Sequence, residues 1–354
     1  MSDPSNKYLT KQKSNIINRI RLLEKEQPAF IHDFYTYYLS VKNAQPRTVQ
    51  AYADDLNVFF YFLMQSNPSI KDVKDITPDT LNALEPQDIQ EYLVFLDSYE
   101  KDGRVLQNSA TGKSRKLACL RSLYKYLQGM KMITNNPMPL IPSPRIKKKN
   151  IIELENNELS ELSDNIEHNT TLTDREIKFA AKTKVRDTAI ITLLLHTGIR
   201  ISELVGLDLT DFDRRNKSLR IVRKGGNESF VYLDDEAYDR LTDYIDSTRG
   251  KTDLTAVFIS RKGNRMSVSA VDRMVRKYAE IIPNKHITPH KLRSTFATHL
   301  YRQTDDIYLV KDALGHKSIN TTTRYADIGD DRRKEVPQMI SRAYDEDKKD
   351  KDNE

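Results

Sequence analysis

The sequence predicts a mainly α-helical protein of two domains, with a small β-sheet in the C-terminal domain. One observation is length, because 354 residues exceed what a single hydrophobic core usually organises. Another is the helical spacing of apolar residues along most of the chain. The third is a pair of β-rich runs, Ser218 to Val222 and Phe230 to Leu233, on either side of Lys224-Gly225-Gly226-Asn227. Glycine accepts the positive φ of a hairpin turn, so these runs predict the small sheet.

A proline-rich segment marks the boundary between the domains. Residues 137–149 contain four prolines and four basic residues, which keep the backbone extended and outside helices. Before this segment, Thr48 to Met64 and Ala110 to Met130 have apolar residues at helical spacing. We predict an N-terminal extension over residues 1–27, a helical domain over 28–136 and a linker over 137–150.

The second domain is predicted to span residues 151–344. Glu153 to Ile166 and Val185 to His196 have the pattern of helices, the second largely buried, and helices return from Ser267 onward. The last ten residues, 345–354, are charged and of low complexity, so we expect a disordered tail.

Composition excludes several classes of protein. The longest nearly apolar run, Ala189 to Leu195, is far shorter than the roughly 20 residues of a membrane helix, and the first residues contain no hydrophobic signal core. We therefore expect a cytoplasmic protein that does not contact membranes. Cys119 is the only cysteine, which excludes an intramolecular disulfide and a cysteine-based zinc site. We expect no metal and no cofactor.

The net charge of +6 is unevenly distributed along the chain. Residues 1–150 carry 22 basic and 15 acidic side chains, and residues 184–344 carry 29 and 22. Between them, residues 151–183 carry 3 basic and 8 acidic side chains. Two basic blocks agree with nucleic-acid binding and equally with an ordinary solvated surface, so charge leaves both open.

A histidine and an arginine are expected side by side at the start of one helix. Thr288 and Pro289 are typical of an N-cap and a first helical residue. His290 and Arg293, three residues apart, then share a face of that helix. The alternative is a structural pair, in which the arginine binds a carboxylate and the histidine caps a turn.

Two glycine-marked breaks carry further polar residues. Arg200 follows the break at Gly198, where its charge either faces a cleft or pairs with Glu203 inside the protein. The second break, Gly315, ends a helix predicted over residues 306–314 and is followed directly by His316.

Tyr325 lies on the next predicted helix, nine residues after His316, although a single tyrosine among 18 is usually core or surface. Lys224 lies at the hairpin tip, where it either reaches into a groove or is merely solvated.

Together these residues have the parts needed to transfer a phosphoryl group from DNA to a hydroxyl. Two arginines hold the nonbridging oxygens of a phosphate and stabilise the charge of its transition state. A tyrosine acts as the covalent nucleophile and keeps the energy of the phosphodiester bond in a phosphotyrosine, so that strands are rejoined without ATP. Histidine moves the tyrosine proton, and a lysine protonates the departing 5′ oxygen.

The ordered motifs of the chain resemble those of the tyrosine site-specific recombinases, the phage integrase family. These motifs are Thr197-Gly198-Ile199-Arg200-Ile201-Ser202-Glu203-Leu204, His290-Lys291-Leu292-Arg293, Leu314-Gly315-His316 and Thr323-Arg324-Tyr325. The intervals are 24 residues from Arg200 to Lys224, 23 from Arg293 to His316 and 9 from His316 to Tyr325, as in Xer-type members. The chain is most similar to the single-protein Xer systems of some Gram-positive bacteria.

The resemblance implies a role for each motif residue. Tyr325 would be the nucleophile, and Arg200 and Arg293 would hold the phosphate. Lys224 would be the general acid, and His290 a general acid and base. His316 would donate a hydrogen bond to the transition state.

The resemblance also implies a C-shaped clamp around duplex DNA, made of a core-binding domain and a catalytic domain. Residues placed on DNA are Arg115, Lys116, Lys147, Lys148 and Lys149. One polypeptide would form a tetramer on two double-stranded sites, exchange strands through a Holliday junction and resolve chromosome dimers. The expected partners are recombination-site DNA, other copies of this chain and a DNA translocase of the FtsK type.

Three other functions remain open. An integrase or excisionase of a phage or mobile element uses the same chemistry, although residues 1–27 are short for a separate arm-binding domain. A type IB topoisomerase is a further enzymatic alternative. A non-catalytic DNA-binding protein is the alternative of another class, but a binder has no need of the tyrosine.

Overall fold

The computed structural model describes residues 4–146, 152–168, 183–223, 226–250 and 252–326. The chain divides into two compact units, an N-terminal unit of residues 6–149 and a C-terminal unit that is made of the residues from 150 onward together with residues 1–5. The fold class predicted from the sequence, mainly α-helical with a small sheet in the C-terminal unit, is confirmed. Within the described ranges, no helix combines the length and the apolar character needed to cross a bilayer.

The N-terminal unit is a helical bundle around an aromatic core. Completely buried rings come from four of its helices, and they include Phe34, Phe59, Phe60, Tyr92 and Tyr124. Its elements are α1 (Pro4–Glu24), α2 (Ile31–Thr36) continued by a π-helical turn (Tyr37–Val41), α3 (Pro46–Ser66), α4 (Pro78–Asn82), α5 (Pro86–Phe95), β1 (Tyr99–Lys101), β2 (Arg104–Leu106) and α6 (Ala110–Gly129).

A short hairpin interrupts this bundle where the sequence predicted helices alone. Strands β1 and β2 pair antiparallel, with Tyr99 opposite Leu106. Asp102 and Gly103 form the turn, both at positive φ, and Asp-Gly is the preferred pair in such turns. The Asp-Gly dipeptide is therefore a hairpin signal that the prediction of an all-helical domain did not use.

The C-terminal unit surrounds a three-stranded antiparallel sheet with helices. Its helices are α7 (Asn156–His168), α8 (Lys184–Thr197), α9 (Ile201–Gly206), α10 (Asp235–Asp243), α11 (Val268–Tyr278), α12 (Pro289–Thr304), α13 (Ile307–Leu314) and α14 (Thr323–Ala326), and its strands are β3 (Phe212–Asp213), β4 (Ser218–Val222) and β5 (Glu228–Tyr232). Strand β4 lies in the middle, with Leu219 opposite both Phe212 and Val231. The predicted hairpin is therefore present, and β4 lies largely on the buried side.

The helix predicted from Glu153 begins instead at Asn156. The residues before it are extended because other side chains bind their backbone. Leu154 donates its N–H to the Thr295 hydroxyl at 2.9 Å, and its carbonyl lies 3.2 Å from Nε2 of His299. These contacts tie the start of the unit to α12.

Candidate active site

Arg200 lies where the chain turns from α8 into α9. Gly198 has φ +60°, and a Cβ there would overlap the ring of Phe296, so only glycine fits this break. The Arg200 N–H and Nη1 each donate to the carboxylate of Glu203 at 2.8 Å. Glu203 is buried, while 31% of the Arg200 side chain is exposed. The internal ion pair predicted as an alternative therefore exists, and it holds Arg200 by one edge.

Arg293 is buried on α12, one turn after the helix begins at Pro289. Only 3% of the residue is exposed. One Nη donates to the carbonyl of Gly198, and Nη2 donates to the carbonyl of Leu314 at 2.5 Å. Burial and the nearby charge of Arg200 lower the pKa of Arg293 to about 10, which leaves the guanidinium charged at neutral pH. The side chain thus joins the Gly198 break to the end of α13.

His290 lies on the same helix as Arg293, three residues earlier, and both residues line one cavity of the C-terminal unit. Burial lowers the pKa of His290, and the charges of Arg324 and Arg293 lower it further. The neutral imidazole is therefore favoured, which is the form that accepts a proton.

His316 follows Gly315, the residue that ends α13 with φ +60°. Its Nδ1 lies 2.9 Å from the hydroxyl of Thr322. Burial and the charge of Arg293 lower the pKa of His316 to about 4, so the ring is neutral at physiological pH. When the Thr322 hydroxyl donates to Nδ1, the ring proton lies on Nε2, which is then free to donate to an oxygen.

Tyr325 lies on the short helix α14 and is 2% exposed. It packs in a small apolar cluster with Ala297, Val310 and Leu314. Its ring is nearly parallel to that of His316, with centroids 6.5 Å apart and an interplanar angle of 14°. The guanidinium of Arg324 lies 5.3 Å from the ring centroid, a cation–π distance.

These side chains line one cavity of about 440 Å³ within the C-terminal unit. Its lining consists of Arg200, Ile201, Ser202, Pro289, His290, Arg293, His316, Thr321, Arg324 and Tyr325. The structure therefore brings together five of the six residues predicted as catalytic. The sixth, Lys224, lies outside the described residues, although both strands of its hairpin are described.

The predicted DNA contacts of the N-terminal half have different positions. Arg115 is half exposed and pairs with Asp55 at 2.7 Å. Lys116 is only 5% exposed, and its ammonium group donates to the same carboxylate at 2.7 Å. Lys116 is therefore an internal ion-pair partner and does not lie on the surface as a phosphate contact would. Lys147, Lys148 and Lys149 lie outside the described residues, as does the predicted tail of residues 345–354.

Three residues around the cavity were not predicted from the sequence. Thr322 bonds His316, Arg324 lies over the ring of Tyr325, and Arg223 donates to the end of α13. For two of them the only signal in the sequence was adjacency, since Arg223 precedes Lys224 and Arg324 precedes Tyr325. For Thr322 there was none.

Comparison with known proteins decides the family. The family described as "Phage integrase family" matches residues 153–332, and "Phage integrase, N-terminal SAM-like domain" matches residues 31–129. The chain belongs to the phage integrase family of tyrosine recombinases. Members of this family transfer DNA strands, and this chain is a DNA strand-transferring enzyme of the Xer type that acts in site-specific recombination.

Two relatives illustrate the similarity of this tyrosine recombinase to Xer proteins. The chain is 31% identical to tyrosine recombinase XerC of Caldanaerobacter subterraneus subsp. tengcongensis over 323 residues, 87% of this chain and 86% of that protein. It is 32% identical to tyrosine recombinase XerS of Streptococcus mutans over 352 residues, 90% of this chain and 97% of that protein.

Solved structures show the same fold in other recombinases. XerH bound to its difH substrate has a TM-score of 0.60 at 23% identity, covering 84% of this chain and 80% of that chain. A lambda integrase dimer bound to a core site has a TM-score of 0.61 at 17% identity, covering 85% of this chain and 96% of that chain. At such identities the similarity concerns the fold alone.

Proposed function

We propose that this recombinase cuts and rejoins DNA through a 3′-phosphotyrosyl intermediate on Tyr325 and a Holliday junction. The observation that carries the proposal is the cavity in which Tyr325 meets Arg200, Arg293 and two histidines whose pKa values are lowered. A phosphate in that cavity would meet donors on several sides, next to a hydroxyl able to attack it.

Each side chain then has one task in the cleavage step. The Oη of Tyr325 attacks the scissile phosphorus, the bond to the 5′ oxygen breaks, and the 3′ phosphate stays on the tyrosine. Neutral His290 accepts the tyrosine proton, and Lys224 donates a proton to the departing 5′ oxygen. Arg200, Arg293 and Nε2–H of His316 stabilise the charge on the nonbridging oxygens. Attack by the 5′ hydroxyl of a partner strand reverses these steps.

We further propose that the substrate is a dif-like chromosomal site and that the reaction resolves chromosome dimers during segregation. The relatives named tyrosine recombinase XerC and tyrosine recombinase XerS support this assignment. Four copies of this chain would act on two sites, under the control of a DNA translocase of the FtsK type. The proposed reaction needs neither a metal nor ATP.

Covalent capture tests the chemistry and the substrate together. The protein and its Tyr325→Phe variant are incubated with fragmented genomic DNA of the host in the presence of a chelator, denatured, and the protein-bound fragments sequenced. Tyr308→Phe is the matched control, because Tyr308 is an exposed tyrosine on α13 of the same unit.

Adducts with the wild type and with Tyr308→Phe, but none with Tyr325→Phe, support the nucleophile assignment. Adducts at a single chromosomal locus support dimer resolution. Adducts at the ends of mobile elements would contradict it and indicate an integrase of such an element. Adducts without a preferred site would indicate topoisomerase activity. Adducts that persist in Tyr325→Phe would contradict the nucleophile, and a chelator-sensitive reaction would contradict metal independence.

A further inference from the structure

Arg223 lies between strand β4 and the Lys224 turn. Its backbone closes that turn, since its N–H donates to the carbonyl of Asn227 at 2.8 Å and its carbonyl accepts from Gly226 at 3.0 Å. Its side chain is buried, with 9% of the residue exposed. The hairpin thus fixes the backbone of Arg223, and the guanidinium extends into the protein.

The guanidinium of Arg223 binds the end of α13. Nη1 donates to the carbonyl of Leu314 at 2.8 Å, and Nη2 donates to the carbonyl of Ala313 at 3.0 Å. The last carbonyls of a helix lack intrahelical partners and carry the negative end of its dipole, so a cation is favoured there. Arg223 therefore holds the helix directly before Gly315 and His316.

Gly315 packs closely against this guanidinium. A Cβ at position 315 would lie 2.7 Å from Cζ of Arg223, and the φ of +60° already disfavours other residues. The chain passes over the guanidinium at this point and continues directly to His316. A change in the length or shape of the Arg223 side chain would consequently move the start of the His316 segment.

Arg223 also shares its partners with both candidate phosphate-binding arginines. The carbonyl of Leu314 accepts from Arg223 and from Arg293. Nη1 of Arg223 lies 3.8 Å from the carboxylate of Glu203, which holds Arg200. The Arg223 guanidinium thus contacts the residues that hold Arg200, Arg293 and His316, all three of which line the cavity.

Burial is unfavourable for the charge of this guanidinium. Burial and the charge of Arg200 lower the pKa of Arg223, while the carboxylate of Glu203 opposes that shift. Its Nε is buried without a hydrogen-bond partner among the residues that the structure describes. Well-packed apolar residues often replace a buried charged group at no loss of stability, so packing alone does not account for an arginine here.

We propose that Arg223 is a positioning residue for strand cleavage, whose guanidinium holds the end of α13 and thereby sets the places of His316 and Arg293 beside Arg200. The proposal rests on the proposed function, which assigns those three side chains to the scissile phosphate. Arg223 itself is not among the residues that line the cavity.

The test compares Arg223→Lys and Arg223→Gln with Arg249→Lys. Arg249 is a matched control because it also donates to backbone carbonyls, and none of the residues that carry them lines the cavity. These carbonyls belong to Gly250, Leu254, Ala256 and Val257. In Arg223→Lys and Arg249→Lys the lysine keeps the charge but lacks the planar guanidinium that binds two carbonyls at once.

The rate of adduct formation is measured with protein in excess over a nicked duplex that carries the captured site. DNA affinity and the unfolding temperature are measured on the same proteins. We expect Arg223→Lys to cleave about 10- to 100-fold more slowly, because a displacement of about 1 Å at a reacting group costs that much. DNA affinity should stay within about twofold, and Arg249→Lys should cleave at the wild-type rate.

A modified substrate locates the defect. When sulfur replaces the 5′ bridging oxygen, the leaving group needs no proton, so loss of the general acid no longer matters. We expect Lys224→Ala to recover its rate on this DNA and Arg223→Lys to stay slow, because the Arg223 guanidinium supports the phosphate-binding side of the cavity.

Four results would overturn the inference while leaving the proposed function intact. They are wild-type cleavage by both Arg223 variants, an equal slowing in Arg249→Lys, slow cleavage that a matching loss of folded protein explains, and full recovery on the sulfur substrate. An absence of adducts with the wild type would instead refute the proposed function.

Discussion

The core of the N-terminal unit and the surroundings of Tyr325 are both buried, but they are built from different materials. The first is a set of aromatic rings in contact, such as Phe59 against Tyr92 with centroids 5.1 Å apart. The second places a tyrosine between a small apolar cluster and buried polar side chains, among them Arg293 and Thr322. Apolar packing specifies shape and supplies stability, whereas hydrogen-bonded cations specify where charge lies. The two regions should therefore fail in different ways.

The largest expected effect is on stability, in the aromatic core. Phe59→Ala removes a completely buried ring and should lower the free energy of unfolding by about 3–5 kcal/mol, because it loses the transfer energy and leaves a cavity. Urea unfolding of the full chain, followed by circular dichroism, measures the loss. Val94→Ala, at a position that is 70% exposed, should stay within about 0.5 kcal/mol. A loss below about 1 kcal/mol for Phe59→Ala would contradict the comparison.

The next effect is on rate, in the polar region. Arg293→Lys should slow adduct formation by at least about 100-fold, because lysine cannot replace a guanidinium that stabilises a transition state. DNA binding and the folded fraction should persist. Arg214→Lys is the control, because Arg214 also pairs with a carboxylate, that of Asp246, but lies far from the Lys224 turn. It is near the start of β4, whereas Lys224 follows the end of that strand. Unchanged cleavage by Arg293→Lys would show that the assigned phosphate site is misplaced.

A smaller effect is expected when the contact between Thr322 and His316 is removed. Thr322→Val lacks the hydroxyl and should cleave about tenfold more slowly, the equivalent of one hydrogen bond of about 1.4 kcal/mol. Thr322→Ser restores the hydroxyl and should recover most of the rate. Thr323→Val, at the exposed neighbour, should behave as the wild type. Equal rates for the valine and serine variants at position 322 would rule out this contact as a determinant of His316.

The last expected effect is a dependence of stability on pH. The pKa of His316 is about 4 in the folded chain and near 6.5 in an unfolded one, so between these values only the unfolded chain binds the proton. Stability should therefore fall as the pH falls from about 6.5 towards 4. Urea unfolding at pH 7 and pH 5 should show a shallower decline in His316→Gln. An identical decline in that variant would assign the dependence to other groups.

Local patterns in the sequence predicted what depends on neighbours along the chain. The glycines at 198 and 315 marked the breaks, both of which have positive φ, and helical spacing placed His290 and Arg293 on one face. The contact of Arg223 with Leu314 spans 91 positions and has no local signal. The prediction of Lys116 as a DNA contact failed for a similar reason. The sequence does not show which lysine of a basic helix is buried against a carboxylate inside the protein. The roles of residues such as Arg223 and Lys116 depend on contacts between distant parts of the chain.

The tyrosine proposed to attack DNA is itself part of a hydrophobic core. Contacts with Ala297, Val310 and Leu314 fix its two side-chain torsions before any substrate arrives. The entropy of ordering this side chain is then lost during folding and not during the reaction. The same packing leaves the ring 2% exposed, which keeps the hydroxyl away from bulk water. Folding thus supplies part of the effective concentration of the nucleophile.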